Sequence, residues 1–294
     1  MNVGEKVRSL RLAKLMTQSE LAGSRITRNM LSCIENGSAQ PSLPTIIYLA
    51  GRLGVPVGFL LAEKEEEIIY RKMNGLSNIK RAYRGKDYAG CRMLCLSLGA
   101  DPDDEISLLL AECDAEIAEE AFHSGRLRFA CHFFDEALQY ASETVYPLPH
   151  VEARAEVFFR YMRRISPTLY SENLDDEKLR DVRLNTPFAA YVDALEALDR
   201  GEDAPARLFS EQFPGSSFYA THLNVRLLML ENRFEEARVE LLTCLRGDQP
   251  LNPVSLYAVL CDLEICCRET EDFKGAYRYA NEKVQQLEQL LRES

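Results

Sequence analysis

Residues Met16–Pro41 read MTQSELAGSRITRNMLSCIENGSAQP, and their reading decides the fold. Thr17 stands where a helix N-cap belongs, and Glu20 three residues later completes a capping-box pattern. Gln18 to Ala22 then makes a short helix with Leu21 and Ala22 inward, ended by Gly23-Ser24. Thr27 caps the next helix, Arg28 to Glu35, which is expected to bury Met30, Leu31 and Ile34. Asn36-Gly37 stops it, because glycine tolerates the left-handed conformation. Arg28, Asn29 and Ser32 are left on the outer face, near the N-terminal end.

Working outward, Val3, Val7, Leu10 and Leu15, with Leu12 behind them, recur at helical spacing and predict a first helix from Val3 to Leu15. Pro41 and Pro44 punctuate the loop before a fourth helix, Thr45 to Leu53. A fifth, short one lies around Val57 to Leu61. These five helices form one small domain, residues 1–62. A helix entering the major groove of DNA reads bases with its first-turn residues. Asn can bond adenine bidentately, and Arg can bond guanine bidentately or a phosphate.

Charge separates this head from the rest. The 294-residue chain carries −11 overall. Residues 1–62 hold seven basic side chains (Lys6, Arg8, Arg11, Lys14, Arg25, Arg28, Arg52) against three acids (Glu5, Glu20, Glu35), a net +4 that leaves −15 for residues 63–294. Only the head has a charge suited to phosphates, and the body is repelled by them.

The string Arg8-x-x-Arg11, Thr17-Gln18-x-Glu20-Leu21-Ala22, Ile34-Glu35-Asn36-Gly37, Pro41 and Leu53-Gly54-Val55 resembles the Cro/C1-type (XRE family) helix-turn-helix of phage repressors and their bacterial relatives. The resemblance covers residues 2–62 and implies a five-helix, lambda-repressor-like DNA-binding domain. It implies that Gln18 sits on the DNA backbone and that Arg28, Asn29 and Ser32 face bases, with Thr17, Arg25, Thr27 and Ser38 completing the DNA-binding set. It also implies an ion pair between Arg11 and Glu35 tying the first helix to the end of the third. One departure is the turn Gly23-Ser24-Arg25-Ile26, a residue shorter than the phage form and without its middle glycine.

Ala62 to Lys72, AEKEEEIIYRK, reads as a charged helical connector; residues 63–72 are assigned as linker and 73–294 as the body. Helical periodicity runs throughout the body, and a weak repeat recurs. Arg84-Gly85-Lys86-Asp87-Tyr88-x-x-Cys91 precedes a break at Asp101-Pro102. Ser124-Gly125-Arg126-Leu127-x-x-Ala130, Glu231-Asn232-Arg233-Phe234-x-x-Ala237 and Glu271-Asp272-Phe273-x-x-Ala276 follow the same plan, with a fainter copy at Arg200-Gly201-Glu202-Asp203 and Ala206. Each unit is a polar turn, an aromatic or Leu, and a small residue three later, where a neighbouring helix can approach closely. The pattern resembles the tetratricopeptide repeat, and about six helix pairs account for residues 66–292. Such stacking makes an α-superhelix whose inner face binds a ligand. Arg154, Arg160, Arg164, Tyr191, Asn224, Arg226 and Tyr257 are the candidates for that face. Arg160, Arg163 and Arg164, among aromatics in an acidic body, suit an anionic group such as a peptide carboxylate.

The expected class is therefore all-α and not an enzyme: no phosphate loop, metal-ligand spacing or nucleophile elbow stands out, and no cofactor is implied. The N-terminus is charged rather than apolar, no run is long enough to span a bilayer, and Cys91, Cys95, Cys113, Cys131, Cys244, Cys261, Cys266 and Cys267 read as small buried hydrophobes. The expected location is cytoplasmic. As an architecture, the whole chain resembles the peptide-pheromone-responsive regulators of Gram-positive bacteria. That resemblance implies a homodimer reading two operator half-sites of double-stranded DNA, with a short peptide held by the repeats. Two other readings stand beside it: repeats that scaffold a partner protein, and an antitoxin-like module that binds protein instead of DNA.

Overall fold

Local sequence signals account for most helix boundaries in the computed structural model, which describes residues 2–62, 64–99, 102–171, 174, 184–214, 217–247 and 250–292; for residues 64–69 and 217 only the backbone is described. All regular structure among the described residues is helical. By internal contact the chain divides into Met1–Pro102 and Asp103–Ser294.

The first unit begins with α1 (Val3–Ala13), α2 (Gln18–Ala22), α3 (Arg28–Glu35), α4 (Leu43–Leu53) and α5 (Val57–Leu61). Asn2 with Glu5 and Thr17 with Glu20 form complete capping boxes, and the Thr27 hydroxyl accepts from the Met30 amide at 3.1 Å. These caps satisfy amides that no helical carbonyl can reach. Val7, Leu21, Leu31, Ile34, Leu49 and Leu53 meet in one core. Lys6 is buried against them, its Nζ donating to the Phe59 and Ala62 carbonyls at 3.0 and 2.7 Å, which closes the C-terminal end of α5.

Three expectations fail here. Helix α4 begins at Leu43, not Thr45, with Pro44 inside its first turn, where Pro needs no amide partner. The first helix ends at Ala13, not Leu15: Leu15 turns to φ 54° and is 93% exposed, so it extends the apolar pattern without joining the core. Met30 is 40% exposed because it points off the core-facing stripe that Leu31 and Ile34 occupy.

After α5 come α6 (Lys64–Arg84) and α7 (Tyr88–Leu96), a hairpin that groups with the first unit. Tyr70 of α6 packs edge-on to Phe59, with ring centroids 6.4 Å apart.

The second unit contains α8 (Asp104–His123) with α9 (Leu127–Glu143), then α10 (Pro149–Ile165), α11 (Pro187–Asp199) with α12 (Ala204–Gln212), α13 (Ser217–Leu230) with α14 (Phe234–Arg246), and α15 (Pro253–Glu269) with α16 (Phe273–Leu290). Residues 172, 173 and 175–183, which follow α10, lie outside the described residues, as does Asp101 of the first expected break. The repeat is visible in the backbone. Lys86, Gly125, Gly201, Asn232 and Glu271 each hold positive φ, between 59° and 82°, in the turn between paired helices. Asp87 and Asp272 then cap the second helix identically, accepting from the Gly90 and Gly275 amides at 2.9 Å. Cys91, Ala130, Ala206 and Ala237 are buried where the small residue of their units was expected, whereas Ala276 of the last unit is half-buried.

Within the second unit the last pair, α15 with α16, returns to α8 and α9. Val254 and Leu290 share a core with Phe122, Leu127 and Ala130, and Arg128 Nε donates to the Leu291 carbonyl at 2.8 Å. Gly125 lies so close to Pro253 that a Cβ on it would be 2.6 Å from the proline Cβ.

Candidate nucleic-acid interface and repeat inner face

The head presents α3 on a rigid frame. Arg11 of α1 grips Glu35 at the end of α3 through two bonds, Nε to Oε1 at 2.6 Å and Nη2 to Oε2 at 2.9 Å. Glu35 is buried, and burial disfavours its charge, but the hydrogen bonds from Arg11 and Gln18 hold its carboxyl below the ordinary range. Gln18 donates to Glu35 Oε2 at 2.9 Å, so α1, α2 and α3 share one carboxylate.

Of the expected DNA-facing residues, Arg28 and Asn29 are exposed and Ser32 is half-buried on α3. Thr17, Arg25, Thr27 and Ser38 are also exposed, and Gln18 is half-buried. Thr17 and Thr27 already serve as caps, and the Ser38 hydroxyl donates to the Cys33 carbonyl at 3.1 Å, closing the end of α3. Arg25, Arg28 and Arg52 have no carboxylate partner among the described residues. Sequence reading missed Cys33, an exposed thiol four residues after Asn29 and so on the same helical face. Simple periodicity would have found it; Cys33 was passed over because cysteines were read collectively as buried.

The inner face of the second unit looks different from expectation. Arg164, Arg226 and Tyr257 do come together, around a cavity of about 130 Å³ shared with Tyr161, His222, Cys261 and Asp262. Tyr191 is not a free contact: it is buried at 1% exposure, with its hydroxyl 2.8 Å from His222 Nδ1. Arg154 and Arg160 do not reach the cavity. Arg154 binds Glu116 at 2.8 Å and also Glu119, while Arg160 binds Asp193 and Glu196. Asn224 is exposed and bonds Glu240 at 2.9 Å. The arginines were read as free cations because sequence spacing does not show which acid lies one helix away.

Asp262 is the hub that sequence reading did not single out. It lies 3.1 Å from His222 Nε2 and 2.9 Å from Arg226 Nη1, and Asp199 links Arg226 at 3.0 Å to Arg164 at 2.5 Å. Burial pushes the Asp262 carboxyl upward, but the close approach of His222 and the Arg226 guanidinium outweighs it and holds it low. Tyr161 is buried and pushed up to about 12, so its hydroxyl stays protonated. On the far side of Tyr161, Phe122, Phe188, Phe218 and Tyr219 crowd a space of only about 10 Å³. Aromatic rings thus fill the space beside Tyr161, and the cavity of about 130 Å³ is polar at Arg164, His222, Arg226 and Asp262.

Comparison with known proteins agrees with the head. A helix-turn-helix family model matches residues 7–60. The immunity repressor protein of Bacillus phage phi105 is 33% identical over 86 residues, which cover 28% of this chain. The chain spans 60% of the length of that curated relative. Among solved structures, Bacillus thuringiensis PlcR in complex with the peptide PapR7 and DNA is 16% identical, with 98% of this chain and 96% of that chain covered at a TM-score of 0.27. ComR from S. thermophilus, in complex with DNA and its signalling peptide ComS, is 15% identical, with 97% and 99% covered at a TM-score of 0.22. At such scores the whole chains do not superpose. Residues 7–60, with their capped short helices and shared Glu35, match a helix-turn-helix domain.

Proposed function

We propose that this chain is a cytoplasmic, sequence-specific DNA-binding transcriptional regulator that works as a homodimer and takes a short signalling peptide into the polar cavity of its repeats. One observation carries the DNA reading: the head leaves Arg25, Arg28 and Arg52 without carboxylates, whereas Arg154, Arg160, Arg164 and Arg226 in the body are each closed by Asp or Glu. Unneutralised cations beside an exposed helix that offers Arg28 and Asn29 suit phosphates and base edges. The phage relative is itself called a repressor.

The peptide reading rests on that cavity. Arg164 and Arg226, which keep guanidinium N–H donors beyond those spent on Asp199 and Asp262, share a rim with Tyr161 and Tyr257, a chemistry that suits a terminal carboxylate and an adjacent apolar side chain. Peptide binding would favour one placement of two heads, and only that spacing would match an operator. A second reading replaces the peptide with a partner protein, and Phe273 and Tyr277, exposed at 69% and 73% on α16, favour it.

Selection of bound duplexes from a random-sequence library tests the first half. Recovery of a two-half-site consensus is the expected result, and recovery of no enriched sequence at low salt overturns it. Mass spectrometry of material retained by the purified chain tests the second half, where a short peptide supports the proposal and a stoichiometric protein partner supports the alternative.

A further inference from the structure

We propose that Arg25 and Arg52, gathered on the ring of Tyr48, form a second phosphate-binding element of the head, one that takes a DNA backbone phosphate without regard to base sequence. It rests on the DNA-binding reading above and adds Arg52 as a contact and Tyr48 as a positioning residue.

The geometry is local and specific. The Arg25 guanidinium carbon lies 5.7 Å from the Tyr48 ring centroid, and that of Arg52 lies 6.0 Å from it. Both are within the range where a cation is attracted to an aromatic face. The Tyr48 hydroxyl donates to the Ala22 carbonyl at 3.0 Å, and Arg52 Nη2 donates to the Glu20 carbonyl. Helix α4 is thus latched onto the C-terminal end of α2, directly before the turn that leads into α3. Gly23 makes the latch possible. It holds φ +57°, and a Cβ there would collide with the Tyr48 hydroxyl and stand 3.1 Å from Arg52 Nη1.

Two guanidiniums held against one ring repel each other, and no carboxylate among the described residues relieves them. The ring face and the α2 carbonyls offset part of that repulsion. Arg52 spends one donor on Glu20, and no hydrogen bond occupies Arg25, so both keep donors for an anion. An oxyanion between them would supply the missing countercharge, and a phosphate offers several acceptors to forked donors. The same latch compensates for the short α2–α3 turn by fixing it from α4.

The test is the salt dependence of duplex binding by the full chain, measured on a fluorescent random-sequence duplex and on a selected operator, well below the melting temperature. Each lost phosphate contact lowers the slope of log affinity against log salt by about 1. R25A and R52A are each expected to lower it by that amount and to weaken both duplexes by the same factor. R52K, which keeps the charge, restores the slope. Y48L lowers the slope because the ring is gone, while Y48F, which keeps the ring, does not. R28A, by contrast, is expected to reduce the preference for the operator. Unchanged slopes in R25A and R52A, or a change in R52A confined to its melting temperature, overturn the element and leave the DNA-binding reading standing. Failure of the wild-type chain to bind either duplex at low salt overturns that reading, and the element with it.

Discussion

Arg11 and Glu35 meet through two parallel hydrogen bonds of 2.6 and 2.9 Å, and this pair joins the first helix of the head to the last residue of its recognition helix. Both side chains are largely removed from water, at 10% and 1% exposure. Breaking one side of such a pair leaves an uncompensated charge, which costs about 3 kcal/mol or more. Glu35→Gln is therefore expected to lower the urea midpoint of the head sharply.

The sign of the pH dependence follows from the same pair. Glu35 titrates below its ordinary value of 4.5 in the folded state, so it binds fewer protons there than in the unfolded chain. Its contribution is complete above pH 4.5 and fades as the pH falls through the lowered folded value. Urea titrations across that acid range are expected to show wild-type stability converging on that of E35Q. Parallel curves would assign the acid loss to other groups.

Asn29 stands exposed on the first turn of α3 beside Arg28. Replacing either with Ala is expected to cost about 2 kcal/mol on the preferred operator, with much less loss on random duplex, because base-edge contacts carry the discrimination. Equal losses on both duplexes would place these residues on phosphates.

Cys33 gives an independent probe of the same face. Among the described cysteines it is the exposed one, while burial pushes the thiols of Cys131 and Cys261 up to about 11. Iodoacetamide at neutral pH is expected to modify Cys33 first and to abolish operator binding without lowering the melting temperature. The C33S chain should keep binding after the same treatment. Alkylated wild-type chain that still binds would remove this face from the interface.

How much of this was legible beforehand depended on the range of the signal. Capping boxes, turn glycines and helical periodicity act within a few residues, so the five head helices could be read directly, whereas the Arg11–Glu35 pair, 24 residues apart, was expected from the family resemblance alone. The repeat turns were legible for the same reason, since Lys86, Asn232 and Glu271 sit in polar strings that precede an aromatic. What stayed hidden was interhelical. The acids that close Arg154 and Arg160 lie 33 to 38 residues away, and nothing local marks them as partners. Likewise Arg52 counted only as one of the head's charges and Tyr48 was not singled out, because it is packing that sets them against the α2–α3 turn.

The return of α15–α16 onto α8–α9 makes Gly125 a sensitive position. It combines φ 79° with a neighbour, Pro253, that leaves no room for a Cβ. Gly125→Ala imposes left-handed strain of about 1–2 kcal/mol and adds a clash with the proline. The variant is expected to lose at least that much stability and to expose the amides of α16 near Leu290 to hydrogen exchange. Unchanged exchange there would mean that the contact between the α8–α9 turn and α15–α16 is not what holds the end of the unit.

The polar cavity yields the last prediction. Asp262 lies 3.1 Å from His222 and 2.9 Å from Arg226 and is 3% exposed, so Asp262→Asn removes the buried countercharge of both, leaving Arg226 with Asp199 and His222 with the Tyr191 hydroxyl. A cost of about 3 kcal/mol is expected from removing one member of a buried charged cluster. Because the folded Asp262 carboxyl lies below its ordinary value of 3.8, its stabilisation is present above that value and disappears as the pH falls through the folded one. Wild type and D262N should therefore differ most near neutrality and approach each other in acid. The same substitution frees Arg226 to bind an added anion, so a carboxylate-terminated peptide that raises the wild-type melting temperature should raise that of D262N by more. A smaller shift in D262N would mean that Asp262 itself contacts the ligand, through an amine or amide donor, and the cavity would then be read as a site for the other end of the peptide.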